Sequence, residues 1–322
     1  MNRIKATNSV AFSSRDIAPI TGTPQYATDG NPATGIPGTI WPAYAFNMIQ
    51  DEIVNAILAA GVTPDDTNWA QLAQAIQTLG GSVVGSIRNG LMWVTAPSIS
   101  ATFSADEVVV ETALAGSAFR LGNFSHSINL TVTGVNGMDT GSAPTSGFVG
   151  IYAIYNPTSG ASALLATNAT TAAVPNVYAG GHMPAGYTFS ALVSVWPTDS
   201  SGRFIVGYQR DRSVDFFNVL VATITSVASL TALSVASVIP KNAVEARGVT
   251  SALSSAAGSL LFDIFSSAQS TGCQINASAQ APGEGIWNSF STLLSVAQTL
   301  YYTITNVSGT VICTIYMNGY KF

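Results

Sequence analysis

Between residues 40 and 61 the sequence IWPAYAFNMIQDEIVNAILAAG sets Phe46, Ile49, Ile53, Ile57 and Ala60 three or four positions apart, the spacing of one face of an α-helix. Gly61 follows as a left-handed stop. The next stretch, VTPDDTNWAQLAQAIQTLGG, repeats the pattern. Asp66 or Thr67 can cap a second helix with Trp69, Leu72, Ala73, Ile76 and Leu79 on its apolar side, and Gly80 and Gly81 end it. A hairpin this small cannot stand alone by core burial. Its open face, beginning at Trp41, is therefore expected to be completed by symmetry mates or a docking partner.

On either side of the hairpin the periodicity changes. Residues 1–39 carry little of it, and TGTPQYATDGNPATGIPGT is dense in turn formers, so an extended arm is expected. From residue 82 onward, short β-prone runs such as EVVVETAL, GFVGIYAIYN, YTFSALVSVWP and TVICTIYMN alternate with turn dipeptides, among them Asn89-Gly90, Asn136-Gly137, Ser201-Gly202 and Asn318-Gly319. No βαβ alternation is present. The run QRDRSVDFF to IPKNAVEARG reads as a passage between two β domains near residue 215. The expected fold is α+β, mainly β. It comprises a short N-terminal arm (1–39), a helical hairpin (40–81) and antiparallel, jelly-roll-like β-sandwich domains over 82–215 and 216–322.

Composition adds an association state. Only 8% of the residues are charged, against about 25% in ordinary soluble domains. Ser, Thr, Asn and small apolar groups must supply the surface, and these are cheaper to desolvate in a subunit contact than ions. An oligomer is expected. A net charge of -5 argues against nucleic acid as partner; Arg203, Arg210 and Arg212 gather, but beside Asp211 and Asp215, as in a solvated turn. Residues 216–239 are uncharged and long enough to span a bilayer, yet Ser and Thr interrupt them throughout and their β-branched residues suit strands. The first residues hold no apolar run of signal-peptide length, so cytosolic assembly is expected.

Candidate chemistry is sparse. Cys273 and Cys313 lack metal-ligand spacing and read as buried free thiols. His126 and His182 stand apart from any cysteine or carboxylate pair. GSVVGSIRNG has scattered glycines but no phosphate-loop lysine, and Asn-x-Ser/Thr sequences at Asn129, Asn168, Asn276 and Asn306 are ordinary in so Ser/Thr-rich a chain. Glu284, glycine-flanked in QAPGEGIWNSF beside Trp287, could bind or cleave sugar. Trp196, Tyr208, Trp287, Tyr316 and Tyr320 offer flat faces for sugar rings. Glu284, Trp287 and Tyr320 are the candidate glycan contacts, and no cofactor or catalytic constellation is expected.

The segment GTIWPAYAFNMIQDEIVNAILAAGVTPDDTNWAQLAQAIQTL resembles the attachment region of tail fibres of tailed bacteriophages and prophages. The resemblance rests on Asn47, Gln50, Glu52, Gly61, Pro64, Gln71, Leu72, Gln74, Ala75 and Ile76. A second segment, with the turn Asp139-Thr140-Gly141, the strand end at 154–157 and the turn at 198–202, is similar to a β module of phage tail proteins. The resemblance covers roughly residues 36–215. It implies a homotrimer in the virion, assembled in the host cytoplasm, whose N-terminal region docks on baseplate or tail-tube proteins. Its C-terminal β domains would face a bacterial surface glycan or outer-membrane receptor. Trp41, Phe46, Ile49, Ile53, Ile57, Trp69, Leu72 and Ile76 would then be the attachment residues. A purely structural baseplate or collar component and a glycan-degrading tailspike are the alternatives; the chain has no repetitive shaft or β-helical body, which argues against the latter.

Overall fold

The computed structural model describes residues 3, 7–21, 26–80, 83–280, 282–306 and 308–322, with the backbone alone at 77 and 276–280. With 44% strand and 10% helix the chain is mainly β with an α+β composition. It folds as two units, Met1–Gly81 and Ser82–Phe322.

The first unit contains α1 (Ala43–Ala59) and α2 (Gln71–Leu79). Gly61 ends α1 at φ +73, and two bonds, Val62 N to Ile57 O at 3.1 Å and Gly61 N to Leu58 O at 2.9 Å, close the left-handed cap. The start of α2 differs from expectation. Neither Asp66 nor Thr67 caps it; the helix begins at Gln71, with Ala70 at the N-cap and no side-chain cap bond. Local turns take those residues instead: Asp65 Oδ1 accepts from Thr67 N at 2.8 Å, and Asn68 Oδ1 accepts from Ala70 N at 2.9 Å. Trp69 consequently precedes the helix and is 94% exposed. The arm is not simply extended either. It makes short helical turns at Phe12–Ser14 and Pro32–Thr34, and Arg3 Nε reaches Asp51 of α1 at 2.9 Å.

The second unit holds the strands. Its first part comprises β1 (Ile87–Arg88), β2 (Leu91–Val94), β3 (Ser100–Glu111), β4 (Ala118–Asn129), β5 (Gly137–Met138), β6 (Phe148–Tyr155), β7 (Ser162–Asn168), β8 (Phe189–Pro197) and β9 (Gly207–Arg210). Every residue of β6 and β8 is buried, as in strands covered on both faces. Then come β10 (Ser213–Ile224), β11 (Ala228–Ser234), β12 (Glu245–Ser254), β13 (Gly258–Phe265), β14 (Gln274–Gln280), β15 (Gly285–Leu293), β16 (Thr299–Asn306) and β17 (Val311–Lys321).

These last strands pair as β15-β12-β17-β10 and β11-β16-β13-β14. That interleaving of eight strands into two facing sheets is the jelly-roll order. The alternating burial of β12, β16 and β17 turns one side of each strand inward. Leu260, Phe262, Ile264, Leu300, Tyr302 and Ile304 belong to the same buried cluster as Ala252, Cys313, Ile315 and Met317. The uncharged residues 216–239 fall largely in β10 and β11, and among the described residues no helix is long and apolar enough to cross a membrane.

The passage expected near residue 215 coincides with the start of the jelly roll, but the sheet does not break there. Asp215 lies within β10, which pairs with β9 on one side and β17 on the other. One buried cluster accordingly runs from Val84 to Phe322. Asn318-Gly319, read as a hairpin turn, lies inside β17, where pairing on both flanks leaves room only for a register shift. Asn89 and Asn136 do take the positive φ of turn residues.

Candidate functional site

One face of the large sheet collects its exposed aromatic and polar side chains. Directly opposed residues of antiparallel strands share a face, and the register runs unbroken through six strands. Trp93 of β2 opposes Tyr208 of β9, which opposes Asp215 of β10; Asp215 opposes Gly319 of β17, Gly319 opposes Arg247 of β12, and Arg247 opposes Ser291 of β15. A parallel row follows two positions on along β12: Leu220, Tyr316, Val249 and Ser289. A third contains Thr223, Thr314, Ser251 and Trp287.

The chemistry of these rows suits a sugar. Trp93 is 66% exposed and stands edge-to-face on Tyr208, with ring centroids 6.4 Å apart. Phe217, also exposed, helps to enclose a cavity of about 240 Å³ beside them, lined by Asp215. At the other corner Trp287, 62% exposed, stacks on Tyr316 at 6.0 Å and 29°. Between the corners lie Asp215 and Arg247, paired at 3.0 Å, and the hydroxyl pair Ser251–Thr314 at 2.5 Å. Flat apolar rings bordered by hydroxyl and carboxylate partners can stack a pyranose and accept or donate to its hydroxyls.

Several expected positions fall elsewhere. Tyr320 is fully buried and its hydroxyl donates to Val195 O; it joins the jelly roll to the preceding strands and cannot meet a ligand, because the inward face of β17 carries it. Trp196 is likewise buried, its Nε1 donating to Ile205 O at 3.1 Å. Glu284 is exposed just ahead of β15, and among the described residues no group of three or more His, Cys, Asp or Glu side chains gathers as a metal site. Cys313 is buried and Cys273 exposed, both free; the latter lies just before β14, whose first residues are exposed as well. His126 Nε2 meets Ser162 Oγ at 2.9 Å, and burial lowers its pKa.

The hairpin positions divide. Ile57 is fully buried against Ala60 and Ala75, with Ile53 partly buried beside it, so these two form the hairpin's own small core. Trp41, Phe46, Ile49, Trp69, Leu72 and Ile76 remain exposed. A cavity of about 350 Å³ between arm and α1, lined by Phe12, Arg15, Phe46 and Asp51, opens beside Phe46.

The sequence does not single out Trp93 and Arg247 as site residues, and it presents Asp215 only as part of a solvated turn, because a cross-strand row is a long-range fact. The one local signal was Trp93 in LMWV, whose alternation points it away from the buried Met92 and Val94.

No family model and no curated protein matches the chain. Among solved structures it is similar, over 76% of its length, to a tryptic core variant of Cry1Da from Bacillus thuringiensis, at 10% identity and a TM-score of 0.16. The chain spans about half, 54%, of that protein. So low a TM-score bears on neither fold nor function.

Proposed function

We propose that the chain is a non-catalytic attachment protein of a phage or prophage tail. Residues 1–81 hold it to tail or baseplate proteins, and the β unit binds a bacterial surface glycan. The observation that carries the binding half is the in-register row from Trp93 to Arg247, which gathers exposed rings and hydrogen-bonding groups on rigid strands. The anchoring half is supported by the apolar side chains that the small hairpin leaves open and by the resemblance of residues 36–81 to fibre attachment regions. As a homotrimer, assembled in the host cytoplasm and carried in the virion, the protein multiplies weak sugar contacts by avidity.

Trp93→Ala combined with Trp287→Ala tests the reading. The folded double variant is expected to lose binding to immobilised surface polysaccharide from the host. Undiminished binding would place the glycan contact elsewhere, and a wild-type chain that binds no polysaccharide or cell, yet assembles into tails, would make it a structural baseplate component.

A further inference from the structure

In a chain of net charge -5 that has only 11 basic residues, three of these, Arg210, Arg212 and Lys321, line one groove of about 540 Å³. The groove lies between the segment Gly85–Ile87, the β9–β10 turn and the end of β17. Among the described residues no carboxylate forms an ion pair with any of the three.

Arg212 is the unusual one. It is half-buried, and its Nη2 donates only to carbonyls, Leu192 O at 3.3 Å and Gly85 O at 3.4 Å, while the guanidinium sits 5.3 Å from the Phe322 ring centre. Burial draws its pKa below the ordinary guanidinium value. A cation so placed is normally matched by an anion. Gly85, at φ +71, makes the approach possible, because a Cβ there would collide with Arg212 Nη2. The glycine-containing segment that failed as a phosphate loop thus has a different use.

One acid, Asp211, also lines the groove, and each neighbouring acid already accepts a hydrogen bond. Asp211 Oδ1 accepts from Gly90 N at 2.8 Å, and Glu245, opposite Lys321 in register, accepts from Ser291 Oγ at 2.6 Å. Arg210 is exposed and aimed by one bond, Nη2 to Asn89 Oδ1 at 2.7 Å, which leaves most of its fork for a ligand. Gln209 holds the turn, its Nε2 donating to Asp211 O at 2.6 Å and to Val193 O at 2.7 Å. Ser86, Ile87 and Ser213 line the groove as well.

We propose that this groove binds an oxyanion, the phosphate or carboxylate of an acidic saccharide, between Arg210, Arg212 and Lys321. The oxyanion follows from the groove alone; its saccharide source rests on the adhesion reading above. Arg–oxyanion pairs are bidentate and charge-assisted, and the strands fix two guanidinium groups on one turn.

The test titrates the full chain at low ionic strength with inorganic phosphate, with a uronic-acid oligosaccharide and with its neutral counterpart, by calorimetry. Arg210→Gln and Lys321→Gln are combined, since both side chains are exposed and their loss leaves the core intact. Phosphate and the uronic oligosaccharide are expected to bind the wild type, and the double variant to bind each at least about tenfold more weakly. Arg203→Gln, whose partner is Asp199 at 2.8 Å, should leave both unchanged. Phosphate that binds nowhere, or equally to the double variant, overturns the site. Phosphate binding without preference for the uronic over the neutral sugar upholds the oxyanion site and overturns its saccharide source. Loss of the adhesion reading through the tryptophan variants leaves the phosphate result standing, so the two failures are separable.

Discussion

Arg247 Nη2 lies 3.0 Å from Asp215 Oδ1, and the contact passes over Gly319, the residue between them in the sheet. A Cβ at position 319 would stand 2.7 Å from that oxygen and 3.1 Å from the guanidinium nitrogen, so the pair exists because β17 offers no side chain there.

The two partners are unequal. Asp215 is 56% exposed, which limits the ion pair to at most about 1 kcal/mol. Arg247 Nη2 also donates to Val214 O at 3.2 Å and Tyr320 O at 3.1 Å, and leaving those acceptors unpaired costs roughly 1–3 kcal/mol. Urea midpoints should fall slightly for Asp215→Ala and clearly for Arg247→Ala. Equal losses would mean that the ion pair, not the carbonyl bonds, carries the contribution.

Tyr320→Phe removes a fully buried hydroxyl and leaves Val195 O without its donor, at a cost of roughly 1–3 kcal/mol. Thermal melts should show a lowered Tm, while polysaccharide binding per folded molecule stays unchanged. A selective loss of binding would return Tyr320 to the ligand face.

In the hairpin, position decides the outcome. Ile57→Ala opens a cavity in a small core and should cost about 2–4 kcal/mol, visible as lost helicity by circular dichroism. Phe46→Glu with Ile76→Glu alters only exposed positions. That variant should keep its helicity but fail to be incorporated into tails. The wild type is expected to sediment as a trimer, and a monomer at all concentrations would contradict the association state.

Alkaline pH should act through Tyr178. Burial first, and then the 2.8 Å hydrogen bond to Asp139 Oδ2, push its hydroxyl up to about 12, above the unfolded value near 10. A raised folded pKa gives stability that is complete below pH ~10 and lost as pH climbs towards the folded value. Tyr178→Phe should therefore be less stable at pH 8, with a shallower decline between pH 10 and 12 in urea titrations. Parallel curves would show that the hydroxyl titrates alike in both states.

What was legible in the sequence was local. The α1 periodicity, its glycine stop and the β-prone runs follow from spacing and backbone preference, and they appear where expected. The start of α2 departs from the expected Asp66 or Thr67 because local turns occupy that stretch, with Asp65 Oδ1 accepting from Thr67 N and Asn68 Oδ1 from Ala70 N. Tyr320 and Trp196 were misassigned because an aromatic in a strand gives no sign of which face is covered. The proposed ligand face depends on register among β2, β9, β10, β17 and β12, and the basic groove joins Gly85, Arg212 and Lys321 across most of the unit. Neither leaves a short-range trace.

Strand β10 is hydrogen-bonded along both edges, to β9 over Ser213–Phe216 and to β17 over much of its length. A strand bonded along both edges can leave the sheet only by breaking both ladders, so the jelly roll and the strands before it are expected to unfold as one cooperative unit.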